Sequence, residues 1–315
     1  MHRGLDNYKS NCYFLDKIKE RKEDNKVVFL DINGVIMPAP DPQLRHEHDN
    51  ETLKKYLSKK YNDNIYMDMK GCDIGAVYYD WNHIAIGYLR ELLDKTGSNI
   101  VLSSNWRDGH TWEHLKAFFK LYDLDDYLID RTPFNPTNET YICHEDSIKI
   151  YLNDHSEIKK YIVFDDIDYY KDFGENMRRI YHNGYGSISV KDYEYAMYVL
   201  NSNPQIEITN NIIKLDNLIE MHYSIIEESG YKLFYIDSIW CKYKSLDIDM
   251  YLSYMLAYIY KRMPEINEFI LKDDNYKINN LGIGYKDSFG FYTISNTYDR
   301  DNTTYGIKKK LIKKD

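Results

Sequence analysis

The sequence predicts a three-layer α/β sandwich around a central parallel sheet, followed by a smaller C-terminal α+β domain. Three observations carry that reading. First, three short apolar runs end abruptly in polar residues: Val27–Leu30 before Asp31, Ile100–Leu102 before Ser103, and Tyr161–Phe164 before Asp165. Uninterrupted runs of this length, rich in Val and Ile, are strands buried on both faces, the habit of parallel sheets. Second, amphipathic helical stretches lie between the runs, and strands alternating with helices imply crossover connections with helices on both faces of the sheet. Third, the pattern breaks at Asn201-Ser202-Asn203-Pro204, a linker composition, and a different texture follows.

In chain order, residues 1–24 are an N-terminal extension, too charged and too broken in its apolar content for a signal peptide. The main domain is expected over residues 25–204. Residues 36–80 form an insertion after the first strand, with Pro38-Ala39-Pro40-Asp41-Pro42 and then a charged helix from Glu51 to Tyr61, suited to a small cap. The stretch Ile84 to Leu93 is amphipathic, with Gly97 as its stop. His114, Leu115, Phe118 and Phe119 fall at helical spacing, as do Ile148, Tyr151 and Leu152. A helix after Gly184, over SVKDYEYAMYVL, closes the domain. In residues 205–315, Leu252, Met255, Leu256 and Ile259 mark one helix, Gly282 to Thr304 suggest hairpins, and the basic run from Gly306 suggests a solvated end.

A length of 315 residues suits two domains, and 43% hydrophobic with 29% charged residues excludes wholesale disorder. The net charge is −9, of which −8 falls before Pro204 (26 basic, 34 acidic) and −1 after it (15 basic, 16 acidic). This balance disfavours a broad nucleic-acid or anionic-membrane surface and concentrates acid where a metal site would use it. The four cysteines form no CxxC pair, the pattern of a reducing compartment. No stretch approaches the roughly 18 apolar residues of a membrane span. The expectation is a cytoplasmic protein with no membrane partner; oligomeric state is not legible.

In open α/β sheets ligands bind beyond the carboxyl ends of the strands, at the point where strand order reverses. Asp31, Ser103 and Asp165 are therefore expected to converge on one crevice.

The strings Asp31-Ile32-Asn33-Gly34-Val35, Ser103-Ser104-Asn105-Trp106-Arg107 and Asp165-Asp166, in this order, resemble motifs I, II and IV of the haloacid dehalogenase superfamily. The nearer likeness is to its branch in Swiss Army Knife RNA-repair proteins, over roughly residues 25 to 200. The resemblance implies a Rossmann-like sandwich and a magnesium-dependent phosphatase or phosphotransferase working through an aspartyl-phosphate. Its substrate would be a phosphorylated small molecule, a nucleotide or a nucleic-acid end. It implies Asp31 as nucleophile, with Asp31, the Asn33 carbonyl, Asp165 and Asp166 around Mg2+. Ser103, Ser104, Asn105 and Arg107 would hold the phosphate. The basic group of motif III falls on His144, at the head of HEDSIKIYL, or on Lys149, with Lys159 and Lys160 as further alternatives.

One departure matters. Most phosphatases of this kind carry Asp where this chain has Asn33, and an amide cannot exchange a proton near neutral pH. Two outcomes stay open: an enzyme short of acid–base help, or a catalytically impaired module that binds metal, phosphate or a partner protein. His110, His114, His144 and His155 lack zinc-site spacing and are expected to be solvated. Trp106 is expected in packing and Asp168 at the surface.

Overall fold

The computed structural model describes residues 26–134, 142–180, 186–228, 230–243, 248–272, 291–293 and 304–308. The N-terminal extension and most of the expected Gly282–Thr304 hairpins lie outside the described residues.

The chain opens with β1 (Lys26–Leu30) and enters the insertion, which holds α1 (Asn50–Tyr61), α2 (Ile65–Asp68), α3 (Gly71–Gly75) and a π-helical turn at Ala76–Asp80. Then come α4 (His83–Thr96), β2 (Asn99–Leu102), α5 (Trp106–Gly109), α6 (Trp112–Lys120) and β3 (Leu128–Arg131). The domain continues through α7 (His144–Asp154), β4 (Lys160–Asp165), α8 (Tyr170–Phe173), β5 (Met177–Arg179) and α9 (Val190–Asn201). The strands form one parallel sheet in the order β3-β2-β1-β4-β5. The chain builds outward from β1 to β3, returns to the other side of β1 for β4, and so reverses direction between β1 and β4.

Register sets the chemistry at that switch point. Leu30 lies opposite Leu102 on one side and Phe164 on the other. The next residues, Asp31, Ser103 and Asp165, therefore leave the sheet level with one another. Two strands, β3 and β5, went unread in the sequence. They are the sheet edges, short and carrying Asp130, Arg131, Arg178 and Arg179, the charge and brevity that keep edges from pairing with other chains.

Local signals explain the helices. The Asn82 side chain caps α4 by accepting from the N–H groups of Ile84 and Ala85, and Gly97 ends it at φ 71°. The buried face of α4 runs Ala85, Ile86, Leu89, Leu92, Leu93. α9 opens on a capping box between Ser189 and Asp192, and Asp192 also takes the buried Arg178 Nε at 2.6 Å.

A second sheet follows the linker, in the order β11-β12-β10-β9-β8-β7-β6. Its strands are β6 (Ile206–Thr209), β7 (Ile212–Leu215), β8 (Ile219–Glu228), β9 (Tyr231–Cys241), β10 (Ile266–Lys272), β11 (Phe291–Thr293) and β12 (Thr304–Lys308). All pairings are antiparallel except β9 with β10, which are bridged by the anticipated helix α10 (Ile248–Arg262). The run expected as a solvated tail from Gly306 is corrected in its first residues, since Gly306–Lys308 belong to β12, paired with β10. α10 packs on α8, on α9 and on residues 174–176. Arg262 donates to both oxygens of Glu175 at 2.9 and 3.1 Å. Tyr198 meets Tyr251 and Tyr254 edge-on and donates to Asp216 at 2.6 Å. Among the described residues, no helix is long and apolar enough to cross a membrane.

Candidate active site

Asp31 continues the sheet for one more bond, its N–H donating to Phe164 O at 3.0 Å, while Ser103 N–H donates to Leu30 O at 2.9 Å. Both side chains thus begin on rigid strand ends. Asp31, His144 and Asp165 are all buried, and each offers a ligand atom within 4.8 Å of the others. The convergence expected from the sequence is present.

The charges around Asp31 are not balanced. Burial first, and then the neighbouring charge of Asp165, push its carboxyl up to about 7, against the pull of His144 and of hydrogen bonds from Ser104 and the Ile32 backbone. His144, at the start of α7, places Nδ1 2.9 Å from Asp165 Oδ2 and Nε2 3.0 Å from Asn105 Oδ1. Burial pulls the His144 pKa down, but the Asp165 bond and the charges of Asp31 and Asp165 outweigh it, and the net shift is upward. His144 thus links Asp165 to Asn105 and stands beside Asp31. The expectation that it is solvated is corrected: a helix start tucked behind β4 buries it.

The other proposed cations stand elsewhere. Lys149 Nζ lies 2.6 Å from Asp172 and 3.5 Å from Asp146, on the outer side of α7. Lys159 donates to Ser156 O and Lys160 to Ser202 O.

The SSNWR string divides its tasks. Ser103 is fully buried, and its hydroxyl oxygen has no hydrogen-bond partner among the described residues. Such a group costs about 1–3 kcal/mol unless something fills the position. The Ser104 hydroxyl serves Asp31, and Asn105 faces His144. Arg107 is also fully buried, donating to Ser103 O at 2.5 Å and to Ile142 O at 3.4 Å. It ties the loop after β2 to the approach to α7. The helix start expected here is the four-residue α5; Arg107 N–H donates to Ser104 O and Asp108 N–H to Asn105 O, both at 3.0 Å.

Asn33 is exposed, and its Oδ1 accepts the Trp106 indole N–H at 2.9 Å. Indole can only donate, so the amide orientation is fixed and Nδ2 is left as a donor. The Trp106 role was invisible in a sequence that marked it only as packing. Asp166 does not join the three buried ligand groups; it sits beside Gly34, and burial followed by the Asp165 charge hold it above the ordinary carboxylate range. Gly34 has φ +75°, and a Cβ there would stand 2.7 Å from both Cβ and Oδ2 of Asp166. Gly34→Ala is expected to cost about 1–3 kcal/mol by displacing Asp166 from a strained turn. Thermal unfolding checks this.

A cleft of about 530 Å³ opens at Asn33, Asn105 and Trp106, and its far wall comes from the insertion through Asp41, Arg45, Asp73 and Ala76. The insertion thus forms one wall of this cleft. All lining residues of this cleft fall between 33 and 110, and the C-terminal domain packs against α8 and α9.

The donor set fits a hard divalent cation: the buried carboxylates of Asp31 and Asp165 meet with His144, and the Ser103 hydroxyl has no partner among the described residues. Among the comparisons, residues 27–182 match the family described as the HAD domain in Swiss Army Knife RNA repair proteins. No curated protein matches the chain.

Proposed function

Because residues 27–182 belong to the haloacid dehalogenase superfamily, we propose that this domain is a magnesium-dependent phosphatase or phosphotransferase. In this reading Asp31 is the nucleophile and the terminal phosphate of an RNA or nucleotide is the substrate. The observation that carries the reading is Asp31 at the switch point, beside the buried Asp165–His144 pair and the unpartnered Ser103 hydroxyl.

Asp31 and Asp165 would hold Mg2+, with Asp166 and the Asn33 carbonyl beside them, and the ion when bound neutralises phosphate oxygens and keeps Asp31 ionised. Ser103 donates to a phosphate oxygen. His144 holds Asp165 in place. Arg107 keeps the Ser103 loop rigid from behind. Asn33, its oxygen fixed by Trp106, turns its N–H groups toward the cleft, where they can hydrogen-bond the leaving oxygen without protonating it. The acidic balance of this part of the chain favours recognition of a phosphate end over grip on a long backbone.

The test is phosphate release from RNA oligonucleotides bearing a 5′- or 3′-phosphate and from nitrophenyl phosphate, with magnesium and with excess chelator. Release that needs magnesium and the Asp31 carboxylate is expected. Release from none of these, with no phosphoryl group retained on the protein, contradicts the reading.

A further inference from the structure

Asp165 and Asp166 stand where β4 runs out of sheet, and their main chains are held in different ways. Asp165 O still accepts a main-chain N–H from the β5 side, that of Ile180 at 2.8 Å. One residue on, Asp166 O accepts from a side chain, Arg179 Nε at 3.0 Å. The rest of this loop is tied by its own acids: Asp165 Oδ1 accepts the Ile167 N–H at 2.9 Å, and Asp168 Oδ1 the Tyr170 N–H at 3.0 Å. Such Asx turns shape a loop locally but do not fasten it to a sheet. Arg179 does, because it is opposite Asp165 on β5. The carboxylate of Asp166 packs against Gly34, three residues after Asp31, so a shift of its main chain moves it against the loop of the nucleophile.

Arg179 is held in turn by the segment it holds. β5 is an edge of the sheet, and the Arg179 N–H donates to Tyr170 Oη at 3.2 Å. The Tyr170 ring is buried and meets Tyr260 of α10, with centroids 6.4 Å apart and planes at 66°. Ala257 of α10 belongs to the same buried apolar cluster as Tyr169, Tyr170 and Phe173. At Gly174, where φ is +55°, a Cβ would stand 2.9 Å from Lys261 Cδ, so only glycine lets α10 come this close. The helix of the C-terminal domain therefore lies along residues 169–175, the stretch that carries the chain from Asp166 back to Arg179.

We propose that Arg179 is a positioning residue for the Asp165–Asp166 pair, and that the C-terminal domain holds it in place through Tyr260 and Tyr170. This rests on the magnesium-dependent reading above and deepens it. Groups behind the ligands of a metal set their orientation, and losing one costs about 10–100-fold in metal affinity. A guanidinium suits the task, since its planar, rigid donors fix the height of the carbonyl that they meet. The second domain then acts on the metal site from behind, through the acidic loop, and not through the cleft, whose lining residues all precede β3.

The experiment titrates metal-free, full-length protein with magnesium chloride in a calorimeter and records Tm in chelator for each variant. Arg179→Met keeps the aliphatic stem and removes the donor; it is expected to weaken magnesium binding by about tenfold, the lower end of the range for such partners. Arg179→Lys, which keeps a donor, should recover part of the loss. Tyr170→Phe removes only a hydroxyl, should cost about threefold on the same scale, and serves should Arg179→Met fold poorly. Tyr260→Leu should weaken magnesium by a similar factor from the other domain. Ile213→Ala, in the buried face of β7, is the control: it should lower Tm and leave magnesium affinity unchanged. Affinities equal to wild type in Arg179→Met and Tyr170→Phe overturn the proposal, as does a loss in Ile213→Ala as large as in Arg179→Met. A loss in Arg179→Met with none in Tyr260→Leu overturns the part given to the C-terminal domain. A wild type that binds no magnesium removes the metal-dependent reading itself, and the positioning role with it.

Discussion

Replacing Asn33 by Asp is expected to raise steady-state phosphate release by about a hundredfold, the lower part of the range for positioned acid–base help. The substitution is isosteric, and the Trp106 N–H that holds Asn33 Oδ1 at 2.9 Å can hold a carboxylate oxygen in the same place. The second oxygen then stands where the amide nitrogen was, able to protonate a leaving group and to activate water. The gain should be largest on substrates with poor leaving groups, and slow release of the aspartyl-phosphate in wild type should become fast. Single-turnover and steady-state rates measured side by side check this. An unchanged rate would mean that position 33 does not face the reacting oxygen.

The second large effect concerns Asp31 and has two readouts. Asp31→Asn is expected to abolish turnover, because an amide cannot accept the phosphoryl group, and to stabilise the metal-free fold at neutral pH. The sign follows from the raised pKa. With the folded carboxyl at about 7 against an ordinary 3.8, the native state binds the proton more tightly than the unfolded chain. The stabilising contribution is complete below the unfolded value and is lost as pH climbs through 7. Removing the charge should recover on the order of 2–4 kcal/mol at pH 7.5, several degrees in Tm. Magnesium should stabilise wild type by binding the ionised form and should do far less for the variant. Melting curves from pH 4 to 8, with and without magnesium, check it; a variant no more stable than wild type at pH 7.5 contradicts it.

The central strands were legible because burial on both faces leaves an unbroken apolar run, and because each run ends in the residue that the switch point needs. Asp31, Ser103 and Asp165 could be brought together from topology alone. The edge strands were not legible, since Leu-Ile-Asp-Arg and Met-Arg-Arg carry no apolar periodicity. His144 could be placed at a helix head, but only the fold brings Asp165 and Asn105 to its two nitrogens. The sequence does not signal that Arg107 is fully buried against loop carbonyls; that placement comes from the fold. The contacts of Trp106 with Asn33 and of Asp73 with His110 span 73 and 37 residues, and neither has a local signature. Long-range polar pairing is where pattern reading runs out.

Turnover through this site requires the carboxylate of Asp31 to accept a phosphoryl group. Wild-type protein incubated with magnesium and a phosphate-ended RNA, quenched in acid and reduced with borohydride, is expected to yield homoserine in place of Asp31 in the peptide mass spectrum. The Asp31→Asn protein should yield none. Phosphate released by wild type while position 31 remains unmodified at every quench time, or an Asp31→Asn protein that still turns over, would contradict it.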